Sequence, residues 1–249
     1  IIDLDMISLF PERTWNYRPN GLKYDLVKIL KDMSPKFILF PGGCIVEGRD
    51  LANAYRWKDT IGDVAERKIN WNRWQDAVNP NAPYYYQSYG LGFHEYFLLC
   101  EDVGAEPIPV VNAGMACQYQ TGELVPMDEM GPWVQDALDL IEYANGDVTT
   151  TWGAKRAENG HPEPFNMKYL AIGNEQWGPQ YFERYKLFYD AIREKYPEIK
   201  LISTSGPSAS GSNFDYAWKE LRTVHTADLV DEHYYMSPDW FLTNVSRYD

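Results

Sequence analysis

Apolar and polar positions recur along this chain in one rhythm: a short apolar run, a polar loop, then an amphipathic stretch. Residues 21–33 predict a helix with Leu22, Leu26, Ile29 and Leu30 on one face. Apolar runs at 37–40, 106–111, 168–172, 200–205 and 228–235 predict strands, and 93–103, 132–145, 179–196 and 214–225 predict helices between them. Within 179–196, Phe182, Tyr185, Phe188, Tyr189 and Ile192 form an inward stripe that reads as core, not as a cofactor box. Residues 149–164, rich in charge, Gly and Pro, are expected to be an irregular loop. The stretch 53–90 is too long for an ordinary connection and is expected to be a functional loop over a barrel mouth.

Strands alternating with helices imply βα units and a parallel sheet. A doubly wound sheet has the same rhythm, but no G-x-G-x-x-G follows any strand. The expected fold class is therefore α/β, of (β/α)8 TIM-barrel type. It is incomplete in this chain, which shows five barrel-type strands.

In such barrels the reactive groups sit where strands end and loops begin. The segment Y-L-A-I-G-N-E-Q-W-G at 169–178 is an apolar run that stops at Gly173 and continues into Asn174, Glu175 and Trp177. Taken alone, an Asn-Glu dipeptide reads as a turn and a helix cap. At a strand end it suits sugar chemistry, a carboxyl exchanging a proton with a glycosidic oxygen beside an amide that grips a hydroxyl. The other strand ends bring Gly42-Gly43-Cys44 with Glu47, then Asn112, the serines and threonine of 203–205, and His233-Tyr234-Tyr235. Carboxylates, amides, an imidazole, hydroxyls and aromatics around one mouth suit a polyhydroxylated ligand. Side chains alternate along a strand, so if His233 faces the mouth, Glu232 points into the helix layer. Asp231 shares the parity of His233 but is expected to lie too deep to reach a sugar.

Composition narrows the partners. Lys plus Arg total 23 against 36 Asp plus Glu, a net charge of −13, which argues against nucleic acid or an anionic membrane. Aromatics make up 15% of residues, and loop Trp and Tyr supply flat faces with polar edges. No apolar stretch is long enough to span a bilayer. Cys44, Cys100 and Cys117 lack C-x-x-C spacing and are odd in number, so neither a zinc site nor a disulfide scaffold is expected. No D-x-D or H-E-x-x-H pattern argues for a metal, and no cofactor is expected.

Four segments in order, F-P-G-G-C-I-V-E-G (40–48), G-L-G-F-H-E-Y-F-L-L-C-E-D-V-G-A-E-P (90–107), A-I-G-N-E-Q-W-G (171–178) and D-E-H-Y-Y (231–235), resemble α-L-arabinofuranosidases of glycoside hydrolase family 51. The resemblance implies a retaining (β/α)8 enzyme that removes terminal arabinofuranosyl groups from arabinan and arabinoxylan, with about barrel strands 2 to 6 present. It implies Glu175 as the acid/base, Asn174 on the sugar 2-hydroxyl and Cys44 lining the furanose subsite. His233 and Tyr235 match residues of the sixth strand, the tyrosine steadying the nucleophile, and Trp71 or Trp74 matches an aromatic wall. Glu47, Asn112 and Trp177 join them as candidate sugar contacts from their place at the mouth.

Two departures stand out. Leu39 occupies the position where the family usually has an arginine, and the nucleophilic glutamate is expected beyond Asp249. The chain opens at Ile1 inside a strand-like stretch. Residues 1–12 are thus expected to be the last strand of a preceding β-sandwich domain or the start of the barrel, and 13–249 a partial catalytic domain. Taken alone, the chain is expected to be inactive. The alternatives are another retaining barrel glycosidase, such as an endo-glucanase or xylosidase, and a sugar-binding protein without hydrolysis.

Overall fold

The structure, a computed structural model, describes residues 9–74, 85–224 and 226–249. Its strands are β1 (Phe37–Phe40), β2 (Asn70–Trp71), β3 (Tyr86–Gln87), β4 (Glu106–Val111), β5 (Tyr169–Ile172), β6 (Lys200–Thr204) and β7 (Leu229–Asp231). Five of them form one parallel sheet in the order β1-β4-β5-β6-β7, curled into part of a (β/α)8-type barrel. Each successive barrel strand pairs with its predecessor, as the strand–helix rhythm predicts. The helices are α1 (Tyr24–Met33), α2 (Cys44–Glu47), α3 (Phe93–Val103), α4 (Gly131–Asn145), α5 (Thr151–Glu158), α6 (Pro179–Lys195), α7 (Ser212–Thr223) and α8 (Pro238–Thr243).

The outer face of the sheet is covered by helices, whereas the inner face is only partly covered, leaving Phe37, Leu39 and Leu229 exposed. Strands meant to be buried on both faces read as unbroken apolar runs rather than alternating ones. On the outer face Leu170, Ile172 and Leu201 pack against Phe93, Tyr96 and Phe97 of α3 and Phe182, Tyr185 and Phe188 of α6 in one large core. On the inner face Val110, Ala171 and Ile202 form a smaller cluster with Val46. The α6 stripe is buried as expected at Phe182, Tyr185, Phe188 and Ile192, and Tyr189 sits half-buried at its edge.

Three expectations change. Residues 149–164 are not a plain loop, because α5 runs through them. Thr150 caps it by accepting from Gly153 N at 3.1 Å, and Arg156 is fully buried. In α1 the predicted apolar face is largely in solvent, with Leu26 and Ile29 more than half exposed, while Val27 packs on Leu99, Val103 and Ala105. The strand expected at 228–235 ends at Asp231, the last residue paired with β6, and 232–235 continue as irregular backbone. β7 is the edge of the sheet, where nothing among the described residues extends its ladder.

The long 53–90 stretch holds short 3-10 turns and the antiparallel β2–β3 ribbon, and its residues 75–84 lie outside the described ones. Arg67 ties it to α3 through a two-pronged bond to Glu95. Most of the 1–12 segment also lies outside the described residues. Among the described residues no helix is long and apolar enough to cross a membrane.

Candidate active site

The site begins where β5 stops. Gly173 adopts a left-handed φ of +80°, and a Cβ there would lie 2.5 Å from Gln176 Oε1 and 3.1 Å from Tyr181 Cε2. Only glycine lets the chain turn in this space. The hydroxyl of Tyr181, on α6, donates to Ile172 O at 2.8 Å and accepts from Thr204 N at 3.2 Å, fixing the ends of β5 and β6 together. Past the turn, Gln176 Oε1 accepts from Asn174 N, and Gln118 bonds Trp177 N and O with its two amide atoms. Asn174 and Glu175 are thereby held nearly buried at the barrel mouth. The Nδ2 of Asn174 has no hydrogen-bond partner.

Glu175 is gripped on both oxygens. His233 Nδ1 lies 2.7 Å from Oε1, and the Cys44 thiol points at Oε2 from 3.7 Å. The other ring nitrogen of His233 lies 3.0 Å from Asp231 Oδ2. Hydrogen bonds to Asp231 first and Glu175 second push His233 up to about 10, so the ring is an imidazolium at neutral pH. The same bond holds the Glu175 carboxyl below its ordinary value, against the opposing effect of its burial. Glu232 points the other way, into the helix layer, and accepts from Trp218 Nε1 of α7 at 2.7 Å.

Beside this pair lies a second group. Cys44 and Glu47 stand three residues apart on the single turn α2, and Cys117 N donates to Gly48 O at 3.0 Å, docking the turn after β4 against it. Asn112 braces both segments. Its Oδ1 accepts from Gly114 N and Met115 N, and its Nδ2 donates to the carbonyls of Val46, Glu47 and Met115. Burial pushes the Glu47 carboxyl up to about 8, with Cys117 adding to the effect. Between the two thiols, the proton favours Cys44, whose value is raised by its bond to Cys117. Cys117 is lowered by that bond and by Arg73, whose Nη2 sits 3.4 Å from its sulfur.

Cys44, Glu47, Asn112, Asn174, Glu175 and His233 are therefore gathered at one end of the sheet, as the strand ends predicted. Within that group Asn112 directs all its amide atoms to backbone and acts as the brace beneath the loop. Tyr235 is largely exposed at the rim, its hydroxyl pushed up chiefly by the negative charge of Glu175. Trp177 is half-buried, 5.0 Å from the ring of Tyr119. Trp71 is half-buried in the ribbon, whereas the exposed Trp74 lies over the Arg73 guanidinium. Leu39 lines the inner face of the sheet and brings no charge there.

Asp231, expected to be too deep for a sugar, reaches His233 instead, and the D-x-H spacing at a strand end was the available signal. Arg73 and Cys117 had no such signal, because tertiary docking alone brings them to Cys44. All three cysteines are free thiols.

A parallel, partly closed sheet with its polar groups gathered at the strand ends places the chain in the α/β-barrel class. Residues 29–249 match the family described as the alpha-L-arabinofuranosidase 1 domain, and the chain belongs to that family. It is 45% identical over 258 residues to an extracellular exo-alpha-L-arabinofuranosidase of Streptomyces chartreusis, covering 99% of this chain and 30% of that protein. It is 39% identical over 251 residues to alpha-L-arabinofuranosidase 1 of Arabidopsis thaliana, covering 99% of this chain and 33% of the relative. Among solved structures, an arabinose-bound MgGH51 α-L-arabinofuranosidase superposes with a TM-score of 0.77 at 30% identity, over 95% of this chain and 34% of that one. The chain spans about a third of the length of the curated relatives it matches.

Proposed function

We propose that this chain is the central part, about strands 2 to 6, of the catalytic barrel of a retaining α-L-arabinofuranosidase. Its substrate class is terminal α-L-arabinofuranosyl groups on arabinan- or arabinoxylan-type chains. Glu175 is the general acid/base. The observation that carries this reading is the unpartnered Asn174 Nδ2 beside the Glu175 carboxyl. A buried amide donor without a partner costs about 1–3 kcal/mol, and a sugar hydroxyl arriving at the mouth relieves that cost.

In the first step Glu175 protonates the leaving oxygen, and in the second it accepts a proton from water. The free site holds Glu175 ionised, the form the second step uses. For the first step the carboxyl must carry a proton, which in the free site sits on His233, 2.7 Å away. A bound sugar that strips water from the pair favours its neutral form, with the proton on Glu175. The second carboxylate, about 5–5.5 Å from Glu175 in a retaining pair, is assigned to a strand following β7. Carboxyl groups suffice for this chemistry, with no cofactor. Cys44 and Glu47 face the same mouth and fit the sugar's hydroxyls, and Trp177, Tyr235 and the ribbon residues Trp71 and Trp74 form its rim.

The test is an enzyme of the relatives' length that carries these residues, assayed on 4-nitrophenyl α-L-arabinofuranoside, β-D-xyloside and β-D-glucoside. Turnover of the arabinofuranoside alone is expected. Preference for xyloside or glucoside would move the chain to another retaining barrel glycosidase. Arabinose binding without turnover of any of the three would make it a sugar-binding protein.

A further inference from the structure

Cys44, Glu47 and Cys117 each direct a ligand-type atom into one small space, and these atoms all lie within 4.8 Å of one another. All three residues are buried, Glu47 at 2% exposure, and Glu47 Oε2 has no hydrogen-bond partner there. We propose that they form a binding site for a thiophilic divalent cation of the zinc class, with two sulfur ligands and one carboxylate oxygen.

The chemistry and the scaffold both favour this. Two thiolates select zinc-like cations over magnesium or calcium, which take oxygen ligands. Zinc–sulfur bonds of about 2.3 Å and zinc–oxygen bonds of about 2.0–2.2 Å set tetrahedral ligand atoms roughly 3.5–4 Å apart. From a spacing of at most 4.8 Å the triangle needs to close by up to roughly 0.8–1.3 Å, a change on the scale of side-chain rotation. The backbone needs no movement. Cys44 and Glu47 share one turn, Asn112 pins the carbonyls of Val46 and Glu47, and the Cys117 amide is bonded to Gly48 O. Binding displaces to solvent the protons that Cys44 and Glu47 hold in the free site. The three anionic ligands with Arg73 beside Cys117 then sum to −2, which a divalent cation neutralises.

Three protein ligands leave a fourth position open. The Cys44 sulfur is also 3.7 Å from Glu175 Oε2, so one of the three ligands sits beside that carboxylate. On the glycosidase reading proposed above, a bound cation takes the Cys44 thiol away from the sugar and blocks the site reversibly. Sequence spacing hid this arrangement, because Cys117 arrives from a separate loop 70 residues beyond Glu47.

The test uses the reduced, chelator-stripped chain without sugar, so its outcome is independent of the glycosidase reading. Cadmium is titrated in, the thiolate-to-metal absorption band and the binding heat are followed, and zinc is added as competitor. One equivalent is expected to bind and to be displaced by zinc. Cys44→Ala and Cys117→Ala should lose the band, Glu47→Gln should bind at least tenfold more weakly, and Cys100→Ser should bind as the unaltered chain does. Circular dichroism checks the fold of each variant. X-ray absorption at the cadmium edge on the unaltered chain counts sulfurs directly, and two are expected. Absence of a band in the folded chain, a band that survives both alanine variants, or a sulfur count other than two overturns the site.

Discussion

His233 Nδ1 lies 2.7 Å from Glu175 Oε1, while the opposite nitrogen of the same ring lies 3.0 Å from Asp231 Oδ2. A neutral imidazole has one N–H and satisfies one carboxylate, whereas an imidazolium satisfies both. Asp231 is the last residue of β7, and His233 follows two residues on in irregular backbone. β7 thus anchors the carboxylate that orients the ring toward Glu175, past the end of β5.

The first prediction follows from that charge state. His233, raised from 6.5 to about 10, contributes stability that is fully present below pH 6.5 and is lost as the pH rises through about 10. Glu175, lowered from 4.5, contributes above pH 4.5 and loses its contribution as the pH falls through its lower folded value. The pair is fully stabilising between about pH 4.5 and 6.5. Nitrogen-15 NMR of the His233 ring should show an imidazolium through pH 8. In Asp231→Asn the midpoint should fall by roughly one to three units. A midpoint near 6.5 in the unaltered chain would sink this account.

The five strands and the gathering of Cys44, Glu175 and His233 were legible because apolar runs and polar strand ends are local signals. Helix α3 was legible end to end, from Phe93 to Val103, because Gly92 and Gly104 bracket a clean apolar stretch. Helix α5 was not. Its Gly153 reads as a breaker, yet a Cβ there would lie 2.0 Å from Asp147 O, so the glycine permits a close approach instead of ending a helix. The meeting of Cys117 and Arg73 with Cys44 was also beyond a sequence pattern, since it depends on three loops docking. Likewise, nothing in the amino acid Asn112 distinguishes a sugar ligand from a brace until its five backbone bonds are seen.

Gly173→Ala tests the turn that presents Asn174 and Glu175. The methyl would meet Gln176 Oε1 and Tyr181 at a backbone φ that alanine resists, at a cost of roughly 2–4 kcal/mol. Gly160→Ala is the control, since its φ is +96° but no atom lies within 4 Å of the added Cβ. It should cost about 1 kcal/mol from backbone strain alone. Urea unfolding of both variants measures the difference. Equal losses would show that the contact with Gln176 and Tyr181 is not what requires glycine at 173.

Arg156 tests the unexpected helix. Its guanidinium is buried and donates to the carbonyls of Tyr143, Gly146, His161 and Pro162 at 2.7–3.0 Å. Lysine keeps the charge but not the planar fork, and leaves some of those carbonyls unpaired. Arg156→Lys should therefore destabilise the chain by about 3 kcal/mol or more. A loss under about 1 kcal/mol would show that water satisfies the carbonyls equally well.

The Glu175 prediction concerns chemistry in an enzyme of the relatives' length. An acid catalyst matters in proportion to how badly the leaving group needs a proton. With Glu175→Ala, arabinan-type substrates with alcohol leaving groups should lose roughly 100-fold to 10,000-fold in rate. The 4-nitrophenyl arabinofuranoside should lose far less in the bond-breaking step, because nitrophenolate departs unaided. The second step then lacks its base, so the glycosyl-enzyme should accumulate. Azide, which attacks without general-base help, should restore turnover and release an arabinosyl azide. Asp231→Asn keeps Glu175 and removes the clamp on His233. It should shift the alkaline limb of the pH–rate profile downward while retaining most of the rate at its optimum. Equal losses on both substrate types with no azide product would assign Glu175 a structural role and remove the basis for the proposed mechanism.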